Sequence, residues 1–178
     1  MPNALRPHAQ KTKVNAMNST VTYRFMEERE AASVSDLVAR VFMEYIAPLY
    51  APGGVREFFR YIDPDALRER CQKNHFSLIA LHKETIVGII MIRDSGHVSL
   101  LFVDKSFQGK GIGRELLNRA ISVCRSKKPE LNKLTVNSSP NSVAAYRKFN
   151  FQETASEQVI KGIRSIPMVF DLPREERP

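Results

Sequence analysis

The chain has 178 residues, a mass of 20.3 kDa and a formal net charge of +8. Its length and its hydrophobic fraction of 43% fit one globular domain, and no apolar run approaches the roughly 20 residues that span a bilayer. The basic charge leaves nucleic acid, an anionic membrane surface and phosphate-bearing small ligands open as partners.

Both ends of the chain are polar and lack periodicity. We expect residues 1–20 to form a flexible N-terminal tail, residues 21–172 a single domain and residues 173–178 a C-terminal tail. Met17 lies just before the first strand-like run and is a candidate for the natural start of the protein.

Hydrophobic periodicity predicts the elements between the tails. Apolar residues three or four positions apart predict helices, whereas alternation or short apolar runs bounded by turn residues predict strands. In chain order these are a strand at Val21–Glu28, helices at Ala31–Tyr50, Val55–Ile62 and Pro64–Asn74, strands at Phe76–His82, Ile86–Arg93 and His97–Asp104, a helix from Gly113 that ends before Pro129, a strand at Lys133–Asn137, a helix at Asn141–Phe149, and strands at Gln152–Ile160 and Ile166–Leu172. Pro48 interrupts the first helix, and Asp63 before Pro64 is typical of a helix N-cap. Three meandering strands followed by strand–helix–strand crossovers predict an α/β (α+β) fold with a mixed, mostly antiparallel sheet flanked by helices.

A glycine-rich loop at Gln108–Gly113 joins the third meander strand to the long helix. The first turn of a helix has unpaired backbone N–H groups and the positive end of the helix dipole, and glycines let a phosphate approach closely. The P-loop pattern is absent, and the dinucleotide pattern fails because Arg114 stands where its third glycine would fall. From the glycines alone, a phosphate cradle and a tight connection without a ligand stay equally open.

The residues around the glycines resemble a known family. Gln108-x-x-Gly111-x-Gly113 resembles the Q/R-x-x-G-x-G/A motif of the GNAT superfamily of N-acetyltransferases, and Asn137–Phe151 is similar to the family's second motif. Asn150 stands where the family has glycine, and asparagine tolerates the left-handed conformation that the end of a helix needs. The resemblance covers residues 21–172 in element order and is specific to motifs over 97–151.

The resemblance implies the reaction of the family, which is direct transfer of an acetyl group from acetyl-CoA to a primary amine of a small molecule or peptide, without an acyl-enzyme. It implies that a backbone N–H near Val103 polarises the thioester and that Tyr146 is the general acid. The base is less defined. Glu27 and Glu28 end the first strand, Glu44 lies on the first helix, where glutamates are usually solvated, and His97 begins the central strand, where a lone histidine is more often structural. Because histidine titrates near neutrality, we expect Glu44 or His97 to act through a water.

The resemblance also implies where acetyl-CoA is held. The expected coenzyme-binding residues are Phe102, Val103, Gln108, Gly109, Lys110, Gly111, Ile112, Gly113, Arg114, Asn137, Ser139, Asn141 and Tyr146. Charge agrees with this expectation, because residues 105–133 contain eight basic and two acidic side chains, a suitable environment for a phosphorylated ligand. We expect Arg119, Arg125 and Lys127 to lie on a solvated helix face.

The family's acceptor pocket corresponds here to Tyr45–Phe59 and Val159–Ile166. The first stretch is aromatic and apolar. In the second, Lys161 and Arg164 either hold an acceptor carboxylate or are exposed loop charges, and the sequence leaves the acceptor unidentified.

Two other functions are compatible with parts of the sequence. A non-catalytic acyl-CoA-binding module on the same fold would not need a proton donor such as Tyr146, and a nucleic-acid-binding function is suggested by charge alone. We expect no metal, no nucleic-acid partner and no membrane partner, and a homodimer stays open. Two cysteines, Cys71 and Cys124, are too few for a disulfide framework and favour a cytoplasmic location.

Overall fold

The computed structural model describes residues 20–172, so the predicted tails fall almost wholly outside the described residues. This part of the chain contains eight strands and five helices. The strands are β1 (Val21–Phe25), β2 (His75–His82), β3 (Thr85–Arg93), β4 (His97–Val103), β5 (Lys133–Ser138), β6 (Gln152–Glu153), β7 (Gln158–Ile160) and β8 (Ile163–Asp171). The helices are α1 (Ala31–Tyr45), α2 (Pro52–Tyr61), α3 (Pro64–Lys73), α4 (Ile112–Lys127) and α5 (Val143–Lys148).

The strands form one mixed sheet in the order β1-β2-β3-β4-β5-β8-β6, and β7 pairs with β8. Neighbouring strands are antiparallel except β4 and β5, which are parallel. The predicted fold class, a mostly antiparallel sheet flanked by helices, is therefore confirmed. No helix within residues 20–172 has both the length and the apolar character to cross a membrane.

The helices cover both faces of the sheet. Leu116 and Ala120 lie on one stripe of α4, which packs on β2, β3 and β4, and both are fully buried. On the opposite face, Val34 and Val38 of α1 are fully buried with Leu67 of α3. Complete burial of each larger side chain stabilises the fold by about 1.5–3 kcal/mol, so these two stripes fix α4 and α1 on opposite sides of the central strands.

The first two helices differ from the sequence prediction in their limits. α2 spans Pro52–Tyr61 rather than Val55–Ile62. α1 ends at Tyr45 rather than Tyr50, since Pro48 has no N–H to donate, and Ala47–Leu49 form a 3₁₀ turn instead. The predicted N-cap of α3 is confirmed, because Asp63 Oδ1 accepts from the Asp65 and Ala66 N–H groups at 3.0 and 3.3 Å.

The closing strands also differ, since Gln152–Ile160 forms two short strands rather than one. The pairing of β6 with β8 stops at Glu153, and the next residue, Thr154, donates its N–H to Pro167 O at 2.9 Å. Because Pro167 has no N–H to donate in return, the ladder is interrupted there, and β7 pairs with β8 separately. β7 and β8 are joined by Lys161 and Gly162, whose φ values of +52° and +78° match a two-residue hairpin turn. This turn packs on α2, where a Cβ at Gly54 would lie 2.2 Å from Gly162 O.

Candidate active site

The sheet opens where β4 and β5 separate. The two strands pair only at His97↔Thr135 and Val98↔Val136, although β4 continues to Val103. Residues beyond these pairs line a cavity of about 610 Å³ between the two strands. This volume lies within the range of small-molecule binding sites.

The cavity receives side chains from both faces of the sheet. On the α4 and α5 face, the lining residues include Gly111, Ile112, Gly113, Arg114, Tyr146 and Phe149. On the α1 and α2 face they are Val41, Tyr45, Ile46, Tyr50, Phe58 and Phe102, which we call the apolar wall. The cavity thus connects the glycine-rich loop with an aromatic surface through the gap between the strands.

A β-bulge in β4 lies at the apex of this gap. Met91 of β3 is opposite Leu100 and Ile92 is opposite Val98, so Ser99 has no partner residue on β3. Ser99 is also the first residue after the last pair of β4 with β5. It lines the cavity, and its buried Oγ has no hydrogen-bond partner within the described part of the chain. The bulge therefore places an unpaired hydroxyl where the strands part.

Past the bulge, β4 presents backbone groups to the cavity. The Asp104 N–H donates to Val87 O of β3 at 2.8 Å, and successive residues of a strand point their backbone groups to opposite edges. Val103 therefore directs its N–H and C=O groups away from β3 and toward the gap. Its carbonyl accepts from Gln108 Nε2 at 3.0 Å, which leaves the Val103 N–H facing the cavity.

The glycine-rich loop leaves open space beside the start of α4. Gly109 and Gly111 have φ values of +73° and +83°, a conformation that strongly favours glycine. A Cβ at either position would meet no described atom within 4 Å. Gly111 is the N-cap of α4, and the N–H groups of the first helical turn have no partner within the helix. Loop and helix together form an open, electropositive cradle of the kind that binds phosphate.

Two cations flank this cradle. Arg114 donates to Lys148 O at 2.9 Å, and its guanidinium lies 5.5 Å from the centre of the Phe149 ring. Lys110 lies outside the cavity lining, with Nζ 4.8 Å from the centre of the Phe107 ring. Both side chains are held beside the loop by these contacts.

Of the three cations predicted to lie on a solvated face of α4, Arg119 and Lys127 are exposed, whereas Arg125 is half-buried. Arg119 is exposed and bonds Glu115 at 2.6 Å, and Lys127 is exposed and lies over the Phe76 ring. These cations face away from the cavity.

The polar residues after β5 close the cavity toward α1. Ser139 Oγ lies 2.9 Å from Asn141 Oδ1 and 2.8 Å from Ser142 Oγ. The Asn141 amide donates to the backbone carbonyl of Tyr45 at the end of α1. Asn137 lines the cavity and is exposed. This network therefore fixes one margin of the cavity by connecting it to α1.

Tyr146 is buried on α5 and lines the cavity. Its ring is packed edge-on against Phe149 and Phe151, at centroid distances of 6.3 and 5.3 Å. Burial raises the pKa of the phenol well above its usual value, so the hydroxyl keeps its proton at neutral pH. α5 ends at a left-handed Asn150 with a φ of +66°, which confirms that asparagine is accommodated at this position.

The structure does not bring the expected bases into the cavity with Tyr146. Glu44 lies on the exposed face of α1, one residue before Tyr45, and forms an ion pair with Lys105. His97 precedes the bulge, and its Nδ1 lies 2.8 Å from Thr135 Oγ1 outside the cavity lining. Burial, aided by the nearby Arg93, lowers the pKa of His97. The geometry therefore gives no support to either residue as the base.

The structure places only the first half of the expected acceptor pocket in the cavity wall. Tyr45, Tyr50 and Phe58 line the cavity, whereas no residue from Val159–Ile166 does. Arg164 bonds Glu157 at 2.5 and 3.1 Å, so it is occupied outside the cavity.

Sequence reasoning missed Ser99. The available signal was a serine within an otherwise apolar run of β4, but a bulge cannot be inferred from that run. Of the thirteen expected coenzyme-binding residues, all except Lys110 line the cavity.

The comparisons with known proteins agree with this geometry. Residues 46–172 match the family model described as the acetyltransferase (GNAT) domain. No curated protein matches the chain in sequence. Because the matched region covers more than half of the chain, the protein belongs to the GNAT acetyltransferase family.

Solved structures share the fold at low sequence identity. The PaiA N-acetyltransferase from Thermoplasma acidophilum, in complex with coenzyme A, has 15% identity and a TM-score of 0.72, over 86% of this chain and 99% of that chain. A GCN5-related N-acetyltransferase from Rhodopseudomonas palustris has 19% identity and a TM-score of 0.74, over 86% and 97%. YncA from Salmonella typhimurium, solved with acetyl-CoA, has 21% identity and a TM-score of 0.67, over 90% and 98%. At these identities the likeness establishes the fold.

Proposed function

We propose that the protein is an N-acetyltransferase that moves the acetyl group of acetyl-CoA directly to a primary amine. The observation that carries this proposal is the single cavity between β4 and β5, which connects the phosphate cradle, Tyr146 and the apolar wall. Acetyl-CoA supplies the acetyl group as an activated thioester. The two substrates would then meet at the gap between the strands, where direct transfer needs no acyl-enzyme.

The coenzyme-binding roles rest on the fit between the residues and a polyanion. The open space at Gly109 and Gly111, the free N–H groups of α4 and the adjacent Arg114 suit a pyrophosphate. The exposed backbone of β4 near Phe102 and Val103 suits the amide-bearing pantetheine arm, because amides pair with strand edges.

Two groups would stabilise charge that develops during transfer. The Val103 N–H faces the cavity and would donate to the thioester oxygen. Tyr146 would donate its hydrogen bond, and finally its proton, to the departing sulfur. Since burial raises the pKa of Tyr146, the phenol stays protonated and ready to donate over the whole range in which the enzyme would operate.

The amine must attack as its free base, because a protonated nitrogen has no lone pair. An amine with a pKa near 10 is about one part in a thousand free base at pH 7. The rate at subsaturating amine is therefore expected to rise with pH through the neutral range, whichever group removes the proton.

Replacement of Tyr146 tests the proposal. We expect Tyr146→Phe to lower kcat by about 100-fold or more, because general acid catalysis typically contributes that much, while the Kd for coenzyme A stays within twofold. Thiol release from acetyl-CoA, followed colorimetrically with a panel of amines, measures the first quantity, and calorimetric titration measures the second. Tyr23→Phe is the matched control, because Tyr23 lies on β1 outside the cavity.

Either of two results would contradict the proposal. An unchanged kcat in Tyr146→Phe would remove that residue from the mechanism. Tight coenzyme A binding without thiol release for any amine would instead identify a non-catalytic binding module.

A further inference from the structure

The apolar wall is a rigid surface on the side of the cavity opposite the phosphate cradle. Phe58 stacks on the fully buried Phe42 with a centroid distance of 3.8 Å and an interplanar angle of 13°. Tyr50 meets the same Phe42 ring edge-on at 5.6 Å, and Phe102 lies 6.1 Å from Phe58. Because these rings are fixed by one another, the wall is already shaped for a flat or branched apolar group.

Charge at the cavity disfavours acceptors with several positive groups. The charged side chains that line it within the described residues are Arg114 and Lys148, and no carboxylate does. A second or third ammonium group on the acceptor would therefore lose its water without gaining an ion-pair partner from the lining.

On the basis of the proposed acetyl transfer, we propose that the acceptor is a monoamine carried by an aromatic or branched apolar group. That group packs on the apolar wall, and the amine nitrogen reaches the gap between β4 and β5, where the acetyl group is transferred. In the transfer, a bond forms between this nitrogen and the acetyl carbon as the carbon–sulfur bond breaks. The sulfur takes the proton of Tyr146, and the nitrogen loses one proton to solvent, which restores the phenol.

The first test compares acceptors with the wild-type protein. Thiol release gives kcat/KM for 2-phenylethylamine and isopentylamine against ethylamine and spermidine. We expect the two apolar monoamines to exceed the other two at least tenfold, because burial of several carbon atoms discriminates by that order.

The second test changes the wall and keeps a neighbouring control. Phe58→Leu should raise KM for 2-phenylethylamine at least fivefold and leave ethylamine nearly unchanged, since the ring that receives the aromatic group is lost. Phe59→Leu is the matched control, because Phe59 is the next residue on α2 and is exposed outside the cavity.

The outcomes separate the inference from the proposed function. Efficient transfer to spermidine or ethylamine, at or above the rate for the apolar amines, overturns the acceptor class and leaves acetyl transfer intact. Unchanged kinetics with 2-phenylethylamine in Phe58→Leu would overturn the inference as well. Absence of thiol release with every amine overturns the proposed function and this inference together.

Discussion

Gly111 offers a direct test of the phosphate cradle, because its effects on folding and on ligand binding are expected to separate. Its φ of +83° costs a residue with a side chain about 1–2 kcal/mol. A Cβ there meets no described atom within 4 Å, so Gly111→Ala adds no steric penalty inside the protein. For a chain of this length we therefore expect Tm to fall by about 2–8 °C.

The added methyl would occupy the space beside the free N–H groups of α4. We expect the Kd for coenzyme A to rise at least tenfold, which corresponds to about 1.4 kcal/mol. At a ligand concentration of 100 times the wild-type Kd, coenzyme A should stabilise the wild type by about 2.7 kcal/mol and Gly111→Ala by about 1.4 kcal/mol or less. Calorimetric titration gives the Kd, and thermal unfolding with and without coenzyme A gives the second comparison.

Gly96 provides the control for this experiment. It has nearly the same φ, +82°, but a Cβ would lie 2.9 Å from Lys133 O and 3.0 Å from Leu131, away from the cavity. Gly96→Ala should destabilise the fold by more than Gly111→Ala, because strain and overpacking add, yet leave the Kd unchanged. An unchanged Kd in Gly111→Ala, or an equal rise in both variants, would refute the assignment of this loop as the phosphate site.

Two further predictions concern stability. Gly54→Ala should lower the unfolding free energy, measured by urea denaturation, by about 1–3 kcal/mol, because its Cβ would overlap Gly162 O. Gly53→Ala, whose Cβ meets only Arg56 at 3.8 Å, should be neutral or stabilising. Equal effects of the two substitutions would contradict the close contact between α2 and the hairpin. Burial, and after it the nearby arginines, lowers the pKa of His75 from 6.5 to about 4 in the native state. Below pH 6.5 the unfolded state therefore binds a proton that the native state does not, so the stability of the fold is highest above pH 6.5 and decreases as pH falls. Because solvent screens part of this shift, unfolding free energy should decrease by about 1–2 kcal/mol between pH 6.5 and 4, and by less in His75→Asn. An identical decrease in both proteins would exclude His75 as the cause.

Local patterns predicted most of the fold because they depend on neighbours in the chain. The apolar stripe of α4, the Asp63 cap and the meander of β2, β3 and β4 all follow from residues a few positions apart. The limits of β6 and β7 do not follow from neighbouring residues, because they depend on Pro167, which lies on the partner strand β8. The Lys161–Gly162 turn carried a glycine signal that the strand prediction passed over.

The candidate bases show why a site is harder to predict than a fold. Glu44 and Tyr45 are adjacent in sequence, but one faces Lys105 at the surface and the other the cavity, because successive residues of a helix point about 100° apart. The sequence correctly places His97 at the start of β4, but the bulge at Ser99 changes which later side chains of that strand face the gap. Pairing partners in β3 and β5 determine that change, and no property of the β4 sequence reveals it.

The distribution of unsatisfied polar groups gives an independent reason to place a ligand in this cavity. In the described part of the chain, the buried side-chain atoms that lack a partner are His75 Nε2 and Ser99 Oγ. Burial lowers the pKa of His75, so its ring remains neutral at neutral pH, with Nδ1 2.7 Å from Asn74 Oδ1. Ser99 has no such explanation within the chain, and the residue lines the same cavity as the first turn of α4, whose N–H groups have no partner within the helix. An unmet buried hydroxyl costs about 1–3 kcal/mol, and natural folds accept such costs mainly at functional sites, so the position of Ser99 is a second reason to place the ligand site at this gap.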